Sequence, residues 1–196
     1  ESASSSVNLV DIELDKIFVE IGSADFDTCL PLAKAGWHGI CVEPVPYLNK
    51  RITDIYRNYP VLIHEYAISD IKGTVDMCVA NDDGNWLKGC SHIISENHIG
   101  YKLSSHPDNV GLFDNKITVN SMTLDDLVYD MNEIDFLKVD AEGHELNIFL
   151  DYSFRVKPKI IKVEHKHVDD IALSKKIEEN GYLVWTEKHD IYAISK

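Results

Sequence analysis

The chain contains no run of roughly 18 apolar residues and therefore offers no candidate membrane span. It also shows no charged-then-apolar leader, and with neither feature the expected location is the cytoplasm. Basic residues are scarce: 19 Lys and Arg stand against 33 Asp and Glu, for a formal net charge of -14. With no Lys/Arg stripe to offset it, that charge repels phosphate backbones, and nucleic acid is not an expected partner. The cysteines Cys29, Cys41, Cys78 and Cys90 form no Cys-x-x-Cys pair and have no zinc-ligand spacing, so they read as reduced, buried thiols. Gly-x-Gly-x-x-Gly is missing, which argues against a dinucleotide cofactor. A pyrophosphate would also meet Glu20 and Asp25 near the first predicted helix N-terminus. No internal repeat is visible.

At 196 residues the chain fits one domain of ordinary size. Residues 1–8, with the Ser-rich run Glu1 to Ser6, are set aside as a disordered or vector-derived segment, leaving 9–196 as the expected domain. What organises that domain is Lys16 to Gly22, an apolar run bounded by a Gly turn and followed by a helix-compatible segment, Phe26 to Ala35, that Gly36 closes. Strand, tight turn and helix in that order open a nucleotide-binding βαβ unit. Glu20 is an acid at the end of a buried strand, costly unless paired, and Gly22 lets a ligand approach the backbone. A second apolar run, Gly39 to Val42, ends in Glu43-Pro44. Glu43 lies about twenty residues beyond the Gly turn, where a Rossmann-like unit places a carboxylate on ribose hydroxyls.

Further along, the pattern predicts a helix over Tyr47 to Asn58 and a strand over Pro60 to Ile68. Thr74 to Ala80 reads as an additional strand and Lys116 to Asn120 as a short edge-like one. Between these lies an irregular stretch carrying Asn85, Trp86, Cys90, Ser91, His92, His98, Tyr101 and His106, expected to cover the acceptor side of the site. A helix capped by Ser121 or Thr123 follows. The strand Ile134 to Val139 then runs into Asp140-Ala141-Glu142-Gly143-His144-Glu145, the densest ionisable cluster in the chain. The strand Pro158 to Val163 ends in Glu164-His165-Lys166-His167; a helix over Asp169 to Asn180 and a hairpin of Tyr182 to Trp185 with Ile191 to Ser195 close the domain. The fold class expected is α/β: a single Rossmann-like, doubly wound, mostly parallel sheet of about seven strands with an antiparallel C-terminal hairpin and helices on both faces. Glu20, Glu43, Asp140 and Glu164 then share one rim of the sheet.

The run Ile134 to Glu145 resembles the Asp-hydrophobic-hydrophobic-Lys-x-Asp-x-Glu-Gly-x-Glu signature of the FkbM-type S-adenosylmethionine-dependent methyltransferases. Val42-Glu43-Pro44, Ala67-Ile68-Ser69-Asp70 with Gly73, Met122 to Leu127 and Gly181-Tyr182 resemble its other landmarks, in the same order. Where the family usually has Asp-x-Gly-Ala-Asn-x-Gly in the first loop, this chain has Glu20 to Phe26, so that the Asn and second Gly are replaced. The resemblance implies S-adenosylmethionine as cofactor. It places Glu20, Gly22 and Ser23 at the amino-acid end, Glu43 with Pro44 at the ribose, Ala67, Ile68 and Ser69 at the adenine, and Asp140 near the sulfonium.

An acid-lined rim attracts such a cation-bearing ligand. Transfer to a hydroxyl also needs a proton acceptor, and Asp140, His144, Glu164 and His165 are the candidates. Alternatively Asp140 and Glu164, with His165 or His144, hold a divalent ion that lowers the acceptor's pKa. The resemblance implies a small-molecule or glycan hydroxyl as acceptor. A polar and aromatic cover fits a sugar, so O-methylation of a carbohydrate, for example a deoxysugar such as rhamnose on a glycan, is the leading expectation. A glycosyltransferase is then the natural fused or working partner. Methylation of a non-sugar small molecule and a non-catalytic, cofactor-binding partner domain are the alternatives.

Overall fold

The computed structural model describes residues 16–24, 28–80, 89–94 and 115–196. The N-terminal segment 1–8, Asp25, and the cover residues Asn85, Trp86, His98, Tyr101 and His106 lie outside them.

Strand β1 (Ile17–Ile21) carries apolar side chains on both faces and occupies the interior of a seven-stranded sheet. It pairs in parallel with β2 (His38–Val42) and β8 (Ile134–Val139), the neighbours that a strand buried on both faces requires. The complete order is β10-β11-β9-β8-β1-β2-β3, with β3 at Val61–His64 and β9 at Pro158–Glu164. Only the closing hairpin, β10 (Tyr182–Glu187) and β11 (Asp190–Ser195), runs antiparallel. The predicted sheet is thus present, with the predicted hairpin at its edge.

The alternation within β1 separates two cores. Val19 and Ile21 pack with Leu137, Val139, Ile161 and Val163 against α3 (Leu124–Leu127), α4 (Glu145–Asp151) and α5 (Asp170–Glu179). Phe18 and Cys41 pack on the other face against α1 (Leu30–Lys34) and α2 (Pro46–Tyr56). Helix α1 is shorter than the sequence predicts because Pro31 fixes its first turn and so sets a late start. Thr123, one of the two predicted caps, starts α3: its hydroxyl accepts from the Asp126 amide while the Asp126 carboxylate accepts from the Thr123 amide.

The departure from expectation is a second sheet. Pro60 to Ile68 is not one strand: it divides after His64, and β4 (Ala67–Ile68) leaves the main sheet to pair with β7 (Asn115–Met122). With β5 (Gly73–Val79) and β6 (His92–Ile93) these form a four-stranded sheet in the order β4-β7-β5-β6. Its cause is a strict two-residue period. Val75, Met77 and Val79 of β5 share one buried face with Val119 of β7 and Ile93 of β6, and that face packs on Ala24, Val45 and Leu48. The second sheet therefore leans over the start of α2 and walls one side of the space above β1 and β2.

Candidate active site

That space is an open cavity with about 520 Å³ of empty volume, the solvent at its mouth included. It sits at the carboxyl ends of β1, β2 and β8, where the strand order reverses, as ligand sites in open α/β sheets do. Of the residues predicted for the cofactor, Gly22, Glu43, Pro44, Ala67, Ile68 and Asp140 line it. Leu48, Tyr66, Met77 and Ile93 add an apolar wall that the sequence reading did not assign, because it belongs to the second sheet and its support.

Glu43 is 4% exposed and holds the floor of the cavity together. Its Oε2 accepts from the Ala24 amide at 2.7 Å and its Oε1 from the Val45 amide at 2.8 Å. Both carboxylate oxygens are thus engaged by backbone amides, with the side chain lining the cavity. The first loop is thus shaped by Glu43 as well as by its own residues. Ala24 pays for that shape with a left-handed backbone, φ 48°, at the position where the family carries Asn. Asn tolerates that region better than Ala, whose Cβ crowds the carbonyl.

Glu20 does not line the cavity. It is fully buried in the sheet, on the α1/α2 face, where its Oε1 lies 3.2 Å from Lys138 Nζ and its Oε2 accepts from the Cys41 thiol at 3.7 Å. Lys138 is its neighbour in register on β8 and also reaches Asp140 Oδ2 at 3.5 Å. Lys138 therefore links a buried acid to the acid on the cavity rim. Those two carboxylates hold the ammonium group firmly protonated against the burial that would discharge it. Ser23 is also fully buried and off the cavity lining.

Ser69 and His144 meet each other rather than the cavity. Ser69 Oγ lies 3.0 Å from His144 Nε2, which is 3.1 Å from Asp70 Oδ1, and Asn147 donates to Asp70 Oδ2 at 3.4 Å. Nε2 serves both Ser69 and Asp70, so this is a latch between the segment after β4 and the turn before α4. His144 is 3% exposed there.

The groups the turn after β8 gathers are different. Glu142, φ 49°, lines the cavity and meets His167, whose Nε2 is 3.7 Å from Glu142 Oε2. Glu164, at the end of β9, lies in reach of both: one ligand atom from each of Glu142, Glu164 and His167 falls within 4.8 Å of the others. Asp140, Glu145 and Glu164 are gathered equally closely. Glu145, 1% exposed, has both oxygens engaged by the Ala141 and Gly143 amides, at 2.7 and 3.0 Å, and so braces the turn. His165 stands outside both groups and off the cavity lining, its Nε2 buried without a partner. The sequence reading named Glu142 and His167 in their motifs without assigning them roles. Their one signal was position, Glu142 two residues beyond Asp140 and His167 three beyond Glu164.

Burial and crowding drive these carboxyls upward. Burial first, then the charges of Asp140, Glu164 and Glu145, push Glu142 up to about 9 against the opposing Lys166. Burial, then Asp140, raise Glu164 to about 7, and burial raises Glu145 to about 8 despite its amide bonds. A carboxyl whose folded pKa exceeds its unfolded value favours folding while protonated, and that contribution falls as pH rises from the unfolded value toward the folded one. Glu142→Gln with Glu164→Gln should therefore leave the protein progressively more stable than the wild type from pH 5 to pH 9. Parallel melting curves across that range would contradict it.

Among the described residues that line the cavity the acidic side chains are Glu43, Asp140 and Glu142, and the lining includes no Lys, Arg or His. Such a lining fits a ligand with a ribose diol and net positive charge, and repels a pyrophosphate. Sheet order and cavity together define the Rossmann-like fold of methyltransferases that use S-adenosylmethionine.

A family model described as the methyltransferase FkbM domain matches residues 16–184, and the chain belongs to that family. Among solved structures, it is similar to a precorrin-6y C5,15-methyltransferase from Geobacter metallireducens, at 11% identity and TM-score 0.50, covering 92% of this chain and 78% of that one. A ribosomal protein L11 methylase from Lactobacillus delbrueckii subsp. bulgaricus aligns at 7% identity and TM-score 0.46, covering 95% and 73%. No curated protein sequence matches.

Proposed function

We propose that this methyltransferase transfers the methyl group to an oxygen, on a hydroxyl of a carbohydrate. The observation that carries the reading is the chemistry of the rim: Asp140 and Glu142 line the cavity mouth, with Glu164 and His167 gathered beside them. A rim of carboxyl groups hydrogen-bonds neutral hydroxyls and carries no positive charge to attract an anionic acceptor. It also offers what a hydroxyl acceptor needs, a place for its proton.

S-adenosylmethionine, when bound, supplies an electrophilic methyl carbon on a sulfonium. The chain's own residues then do three things. Glu43 holds the loop and would meet the ribose, while Ala67, Ile68, Leu48 and Met77 would enclose the adenine. Asp140, whose side chain is 35% exposed and oriented by Lys138, takes the hydroxyl proton. Glu142 orients the acceptor, so that alignment of the reacting groups supplies most of the acceleration. Glu20, Ser23, Ser69, His144 and His165, set by sequence among the binding and catalytic groups, take supporting positions in this reading. A glycosyltransferase remains the proposed working partner and the cytoplasm the proposed location.

The test is methyl transfer from labelled S-adenosylmethionine to a panel of glycosides and of non-sugar alcohols, repeated with Asp140→Asn. Transfer to a glycoside, lowered 100-fold or more in the variant with cofactor binding retained, is the expected result. Transfer only to a non-sugar alcohol would overturn the acceptor class, and undiminished turnover in Asp140→Asn would overturn the base.

A further inference from the structure

We infer that Glu142, Glu164 and His167 form a divalent-cation site on the acceptor side of the cavity. Two carboxylates and an imidazole converge from two segments, the β8–α4 turn and the end of β9 with the loop after it, so that one donor atom from each falls within 4.8 Å of the others. That is the spacing of ligands around one ion, and a mixed oxygen and nitrogen donor set suits Mn²⁺, Fe²⁺ or Zn²⁺ better than a purely hard cation.

The unsatisfied chemistry of the cluster points the same way. Glu164 Oε2 is buried and accepts no hydrogen bond. The contact between Glu142 and His167, at 3.7 Å, is longer than a hydrogen bond, so neither side chain satisfies the other. Among the described residues, Lys138 lies between Glu20 and Asp140, and Lys166 beside the cluster is exposed. The alternative set with Asp140 is the weaker one, because Glu145 already gives both oxygens to backbone amides.

The proposed set shares Glu164 with the sequence expectation, which joined it to Asp140 and to His165 or His144, and takes Glu142 and His167 in their place. Because Glu142 also lines the cavity, an ion held there adjoins the proposed acceptor position and lowers the pKa of a hydroxyl bound to it. That catalytic role rests on the proposed O-methylation; the binding of the ion does not.

The experiment is calorimetric titration of the metal-stripped full chain with MnCl₂, without methyl acceptor, on the wild type, Glu164→Gln and His167→Ala. Neither variant residue lines the cofactor cavity, so S-adenosylhomocysteine binding serves as the check on folding and should be unchanged. One saturable Mn²⁺ per chain, weakened 10-fold or more in both variants, is the expected result. No saturable binding at millimolar Mn²⁺, or equal binding in all three proteins, would overturn the site while leaving the methyl-transfer reading intact. A negative glycoside panel beside normal Mn²⁺ binding would do the reverse.

Discussion

Lys138→Met should destabilise the protein by about 3–5 kcal/mol, the usual penalty for removing one partner of a buried ion pair. Lys138 is 4% exposed and Glu20 fully buried, so the substitution strands the Glu20 carboxylate in the sheet with only the weak Cys41 thiol as donor. The side-chain volumes are similar, which keeps packing from dominating the result. The companion variant Glu20→Leu with Lys138→Met removes both charges and should recover most of the loss, because a hydrophobic pair of similar volume avoids desolvation altogether. Chemical unfolding of the two single variants and the double variant reads the coupling directly. If the double variant is no more stable than Lys138→Met, the ion pair is not what holds β1 to β8 at this level. Lys138→Met should also alter turnover through Asp140, which loses its neighbour at 3.5 Å.

Gly22→Ala is expected to do comparable damage, for a steric reason. An added Cβ would fall 1.7 Å from the Asp140 carbonyl oxygen and 2.8 Å from its carbon, both backbone atoms. Neither can move aside without parting the ends of β1 and β8, which the Asp140 amide joins by donating to the Ile21 carbonyl at 3.0 Å. Gly22 is also left-handed, φ 72°, which costs a side chain about 1–2 kcal/mol by itself. With about 1–3 kcal/mol for overpacking, a loss of about 2–5 kcal/mol follows, together with loss of cofactor affinity, since Gly22 and Asp140 both line the cavity. Gly36→Ala separates the two causes. Gly36 is left-handed too, φ 89°, with nothing within 4 Å of its Cβ, so it should show the strain alone. Equal losses at the two positions would mean that the clash at Gly22 relaxes.

Much of this arrangement was legible in the residues. The apolar runs at Ile17–Ile21, Gly39–Val42 and Ile134–Val139 can only be strands buried on both faces, and a parallel sheet with helical crossovers follows from them. The acids at the strand ends were equally visible, and Glu43, Asp140 and Glu164 do gather at one rim. What sequence did not show was direction. Glu20 lies one residue before the end of β1, so the alternation of a strand sends its side chain into the sheet instead of up to the rim. Ser69 and His144 carry groups that suit a site, yet their partners are each other, across two elements far apart in the chain. The second sheet was missed for another reason: β4 is only Ala67–Ile68, too short to show a period, so its departure from the main sheet after His64 left no pattern to read. Its consequence, the apolar wall of Met77 and Ile93, was hidden with it.

The central claim is that the cavity at the ends of β1, β2 and β8 binds S-adenosylmethionine through Glu43. Calorimetric titration with S-adenosylmethionine, with S-adenosylhomocysteine and with NAD as control, on the wild type and on Glu43→Gln, tests it most directly. The account predicts one site per chain for both sulfur ligands, none for NAD, and affinity at least 10-fold weaker in Glu43→Gln, about the 1.4 kcal/mol of a lost charge-assisted hydrogen bond. No binding of either sulfur ligand to the folded wild-type protein, or binding that Glu43→Gln leaves unchanged, would contradict it.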